Sequence, residues 1–237
     1  MNKPHTFVLL LGITLSAAAT AQAAPASRPS DFMAGLLGPP KTVTTAPAAD
    51  FGVAAAACAT TIGKDGLDLS KLAGLGWIAI PLPATAGEKY YAYERSGTSV
   101  RIYLSTTFAA AGQCVVDGVG MSKGQFGAIA GEVKKQVAAI TSKKLKETGS
   151  SSSPGGFSQG KRFLADDLMT IVSSENRTEG LSIRVTLMRM DPSKDPYELA
   201  SAAGMAGQFL PIAIEGLIAE AKAPATAQPT PSLTPQP

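Results

Sequence analysis

The chain has 237 residues, 45% of them hydrophobic, and a net charge of +3 at pH 7. So even a balance argues against nucleic acid or an anionic membrane as partner. One histidine (His5) and two cysteines leave too few ligands for a conventional zinc site.

The first residues, MNKPHTFVLLLGITLSAAATAQA, combine a basic start at Lys3, an apolar run from Phe7 to Leu15 and small residues ending Ala21-Gln22-Ala23. This is the layout of a cleavable secretory leader, residues 1–23, with cleavage after Ala23. The apolar run falls short of the ~20 residues needed to span a bilayer. Removing 23 residues from 237, Lys3 among them, leaves 214 with a charge of +2. Residues 24–49 are rich in Pro, Ala and Thr and are expected to be flexible. Residues 50–222 have the size of one domain. Residues 223–237 read APATAQPTPSLTPQP, a proline-rich, uncharged tail with too little apolar surface to fold.

Within the domain, the alanine-rich stretch from Asp50 to Ile62 predicts a helix carrying Cys58. Leu67 to Leu75 adds a helical turn, and GWIAIPLP an edge strand ended by Pro81 and Pro83. In KYYAYERSGTSVRIYLS two strands flank Gly97-Thr98, and a two-residue turn there pairs Tyr93 with Ile102 and Tyr91 with Leu104. The other face then pairs Glu94 with Arg101. In that register Tyr90 and Tyr103 point outward and, with Arg101, are the candidate surface contacts. GQCVVDGVG is a third strand, bearing Cys114. From Ser122 to Lys144 the apolar positions Phe126, Ile129, Val133, Val137 and Ile140 recur at helical spacing. KETGSSSSPGGFSQGK reads as a flexible connection. Strands from Arg162 to Ser173 and Gly180 to Met190 follow. A last helix opens with Asp195 as its cap and is interrupted near Pro211.

The order α-β-β-β-α-β-β-α predicts an α+β fold, a two-layer sandwich with an antiparallel sheet of about five strands and helices mainly on one face. An exported chain with two cysteines is expected to join Cys58 to Cys114 in a disulfide.

Gly120-Met121-Ser122-Lys123-Gly124 matches G-x-S-x-G, the turn on which hydrolases present a nucleophile. A serine triad needs a histidine base, and His5 leaves with the leader. Ser122 is therefore read as a helix N-cap. Ser158-Gln159-Gly160-Lys161 matches S-x-x-K, whose lysine can replace histidine as base. That serine belongs at a helix start, whereas here it lies in a Gly/Ser-rich stretch. No catalytic, cofactor-binding or metal-ligating residue is assigned, and no cofactor is expected. The sequence reads as an exported, periplasmic or secreted, non-catalytic module that binds a protein, peptide or cell-envelope component. One alternative is a histidine-free serine hydrolase using Ser122 or Ser158 with a lysine. Another is a membrane-associated accessory protein using the apolar segment from Leu199 to Leu217.

Overall fold

A computed structural model describes residues 44–107, 112–153, 158–177, 180–190 and 196–222. The predicted leader, the Asp195 cap and the tail from Ala223 lie outside the described residues. In chain order come β1 (Thr45–Ala46), α1 (Ala48–Thr61), α2 (Ser70–Gly74), β2 (Ile78–Ile80), β3 (Tyr90–Glu94), β4 (Arg101–Ser105) and β5 (Gln113–Gly120). Then follow α3 (Phe126–Thr141), β6 (Lys146–Ser152), β7 (Ser158–Ala165), β8 (Leu168–Arg177), β9 (Gly180–Arg189) and α4 (Pro196–Lys222).

The α+β class stands, but the sheet has nine strands instead of about five. Eight run in the spatial order β2-β3-β4-β5-β9-β8-β7-β6, each antiparallel to its neighbour. The short β1 pairs in parallel with β5, so Thr45 and Ala46 are already part of the sheet. After β5 the chain crosses through α3 to the far edge at β6. It then returns by successive hairpins until β9 closes against β5.

Two of the additional strands come from the segment read as a flexible connection. Lys146–Ser152 and Ser158–Ala165 pair as β6 and β7. Serine and glycine have weak strand propensity, and pairing with β8 supplies what their side chains do not. The run read as one strand from Arg162 to Ser173 is instead cut at Asp166, whose φ of 50° turns the chain between β7 and β8. An aspartate tolerates that left-handed conformation better than the apolar residues around it.

The β3–β4 register is the predicted one, Tyr91 opposite Leu104 and Tyr93 opposite Ile102. Glu94 and Arg101 lie 3.8 Å apart. The tight turn sits one residue earlier than expected. Thr98 N–H donates to Arg95 O, so Ser96 and Gly97 are central and Gly97 carries the positive φ. The edge strand β2 ends just before Pro81, as read from the prolines.

Alternation along the strands gives the sheet two faces. The inner face bears Tyr93, Ile102, Leu104, Cys114, Val116, Ile183, Val185 and Leu187, packed with α1 and α3 in one large core. Alanine-rich α1 is buried on two sides because it is thin. A Cβ at Gly52 would come within 2.8 Å of Glu132 Cγ on α3, and one at Gly118 within 3.1 Å of the Phe51 ring. From α3, Phe126, Ile129, Val133 and Val137 are buried, while Ile140 at the end of the stripe is exposed.

The outer face is apolar as well, at Ala92, Tyr103 and Val115, and α4 covers these with Leu210, Ile214 and Ile218. Helices thus pack on both faces instead of mainly one, because central strands with two apolar faces must be covered twice. The last helix runs unbroken from Pro196 to Lys222 with Pro211 inside it, where an interruption was expected. No described helix is long and apolar enough to cross a membrane.

Cys58 on α1 and Cys114 on β5 form the predicted disulfide, with Cα atoms 5.7 Å apart and both residues fully buried. It closes a loop with a sequence separation of 56. Chain entropy assigns such a loop about 4 kcal/mol. Replacing both cysteines by serine should lower the unfolding free energy by up to that amount in urea titrations monitored by circular dichroism. A change below about 1 kcal/mol would show that this bond does not restrain the unfolded chain.

Candidate functional site

Ser122 is exposed and stands before a 3₁₀ turn, Lys123–Gln125, that leads into α3. Its side chain makes no capping hydrogen bond. Gln125 instead ties down the preceding loop, its Oε1 accepting the Met121 N–H at 2.6 Å. The expected hydroxyl cap is therefore not formed, and neither Ser122 nor Gln125 caps the helix with its side chain. Ser158 and Lys161 sit three apart on β7, so alternation sends them to opposite faces. Lys161 pairs with Glu147 at 3.5 Å. Among the described residues, no group of three or more His, Cys, Asp or Glu side chains could hold a metal.

The candidate contacts Tyr103 and Arg101 do not form a free surface. Tyr103 is 2% exposed and its hydroxyl donates to Glu215 Oε1 of α4 at 2.6 Å. The Arg101 guanidinium donates to the same carboxylate oxygen. Burial pushes the Tyr103 hydroxyl pKa far above its ordinary value, and the Glu215 carboxylate pushes it further. Burial would lower the pKa of Arg101, but the bond to Glu215 more than reverses this. Tyr90 is half-buried at the rim of the same cluster. It borders a hollow of about 310 Å³ beside Leu82 and Pro83.

One row of outward positions crosses the sheet through Arg101, Asp117, Arg184, Ser173, Gly160 and Ser151. Its first half is charged, and Arg184 Nε donates to Asp117 Oδ1 at 2.9 Å. Burial raises the Asp117 pKa, and Arg184 pulls it back. The second half of the row is hydroxyl and glycine. Helix α4 lies over the charged half, where Glu215 meets Arg101, and among the described residues leaves the other half uncovered.

The uncovered part is a groove of about 550 Å³. Ser158, Gly160, Ser173, Ser182 and Arg184 belong to its floor, and Gln208, Phe209 and Ile212 of α4 to its wall. Arg177 lines it too, held by Glu175 at 3.0 Å. A further hollow of about 270 Å³ shares Ser151, Gly160 and Ile171 with it and continues toward β6. Phe209 and Ile212 remain 62% and 60% exposed, as large apolar side chains in a folded domain seldom are.

From sequence, the groove residues entered only as Ser158, considered for other chemistry, and within the Leu199–Leu217 segment, considered for membrane contact. The available signal was the alternation on β9, which sets Ser182 and Arg184 on one face against Leu181, Ile183 and Val185 on the other. What it lacked was the position of α4, set where Gly207 lies against Thr186.

Comparison with known families finds no match, and no curated protein matches either. Among solved structures, the chain is similar to protein CV1439 from Chromobacterium violaceum at 13% identity and a TM-score of 0.19. The match covers 73% of this chain and 93% of that one.

A Cβ at Gly207 would clash with Thr186 Oγ1. Gly207→Ala should therefore cost about 1–3 kcal/mol by lifting the helix from β9, read as a lower midpoint in urea. Tyr103 also links stability to pH. Its pKa is raised in the folded state, so its contribution is complete below the unfolded value near 10 and declines as pH rises beyond it. Tyr103→Phe should flatten the loss of stability above about pH 10. Equal slopes for variant and wild type in alkaline denaturation would contradict the buried assignment.

Proposed function

We propose that this chain is an exported, non-catalytic binding module of the bacterial envelope, and that it binds its ligand in the outer-face groove beside α4. The observation that carries this reading is the groove itself. Its volume of about 550 Å³ lies within the ~300–1,000 Å³ of small-ligand sites. It joins convergent hydroxyl, amide and guanidinium groups to two apolar side chains left open to solvent.

Export is supported by the leader-like first 23 residues and by a Cys58–Cys114 disulfide of the kind that persists in oxidising compartments. A non-catalytic role is supported by the separation of Ser158 from Lys161 and by the loss of His5 with the leader.

Two measurements test the proposal. Expressed from its first methionine, the protein should be recovered from periplasm or medium starting at Ala24, as read by intact mass; recovery with residues 1–23 still attached refutes export. Envelope material retained by the wild type should be lost on Phe209→Ala, which removes a largely exposed ring and should change stability by less than about 0.5 kcal/mol. Equal retention by both proteins would rule out the groove as the binding surface.

A further inference from the structure

We infer that the ligand of this groove is a neutral oligosaccharide. The assignment rests on the groove being a binding site as proposed above and goes on to name the chemistry it selects. Three features of the groove narrow the class.

The first is that the floor offers side chains only. Strands β7, β8 and β9 are each paired on both sides, so their main-chain donors and acceptors are committed to the ladder. An extended peptide draws its affinity from main-chain hydrogen bonds at an open sheet edge. Over β7, β8 and β9 that source is missing, and of the groove's strands only β6, at its far end, keeps one side unpaired.

The second is charge. Arg184 holds Asp117 at 2.9 Å, and Arg177 holds Glu175 at 3.0 Å. An anionic ligand would have to compete with carboxylates already in place, which weakens the case for phosphate, a fatty acid or a nucleotide. The groups around these pairs, Ser158, Ser173, Ser182 and Gln208, are neutral donors and acceptors.

The third is the wall. Phe209 presents an aromatic ring, 62% exposed, across from the hydroxyl floor. The negative face of such a ring attracts the weakly positive C–H groups of an apolar surface. A pyranose has both required surfaces, a rim of hydroxyls and a face of C–H groups. The groove continues past Gly160 toward Ser150 and Ser151, with Lys161 (paired with Glu147 at 3.5 Å) and Arg162 also lining it, and this length suits a chain of such rings better than a single one.

The test is titration of the wild-type protein, recovered after export, with chitohexaose, cellohexaose and maltohexaose. Binding is followed by calorimetry and by amide chemical shifts. A phosphatidylglycerol vesicle and an unstructured neutral peptide serve as comparison ligands. At least one neutral hexasaccharide should bind, with shifts concentrated at Ser173, Ser182 and Phe209. Phe209→Ala should weaken that binding tenfold or more, and Ser173→Trp should abolish it by filling the floor. Met205→Ala, at a position 57% exposed on the same helix but outside the groove, should stay within twofold of wild type. If the tryptophan variant fails to fold, Phe209→Ala against Met205→Ala still decides. Groove shifts with the peptide or vesicle and none with any sugar would overturn the saccharide assignment while leaving the binding-module reading intact. No ligand in the groove from these probes or from envelope material would end both.

Discussion

The antiparallel pairing of β5 with β9 holds the rest of the fold in place. Eight residue pairs, Gln113 opposite Met188 through Gly120 opposite Leu181, join segments far apart in the chain. Without them there are two separate meanders, β2-β3-β4-β5 and β6-β7-β8-β9, each with an open apolar edge. With them there is one sheet. Both helical layers then acquire a seat at its centre. The disulfide reaches Cys114 on β5 from the inner side, and α4 rests on Thr186 of β9 from the outer. Such long-range pairing forms only after a costly loop closure, so α3 has a topological role besides its packing. It carries the chain from the middle of the sheet to the far edge at β6.

The groove is a consequence of that geometry. A single helix laid on a sheet wider than itself cannot cover all of one face. The sequence meets this constraint by grading the outer face. Where α4 sits, the strands carry Ala92, Tyr103 and Val115, with buried Tyr103 and half-buried Glu215 and Arg101 bonded together to fix the helix in register. Where it does not, they carry Ser158, Gly160, Ser173 and Ser182, residues that tolerate water. Phe209 and Ile212 depart from this grading, being apolar on the open side of the helix. Packing among the described residues does not account for them, whereas the ligand proposed above would meet them with its apolar face.

The parts legible in advance were those in which two independent patterns agreed. The β3–β4 register was readable because hydrophobic alternation and the Glu94–Arg101 charge pair chose the same alignment. The disulfide was readable because a chain with two cysteines and a leader-like start has one pairing to offer. The β6–β7 hairpin was not, since Lys146–Ser152 is nearly all polar and small, and only its neighbours make it a strand. Tyr103 misled for the opposite reason. Its strand is apolar on both sides, and alternation alone does not say which side meets solvent.

By itself, then, the sequence determined the local pieces: the amphipathic face of α3, the Tyr91–Leu104 register, the edge position of β2 beside Pro81, and the Cys58–Cys114 link. These depend on residues a few positions apart, or on a choice with a single solution. The tertiary structure alone decided that nine strands share one sheet, that helices cover both of its faces, and that an open groove lies beside α4. Each follows from contacts between segments remote in the chain, and periodicity within one segment carries no information about which distant surface will cover it.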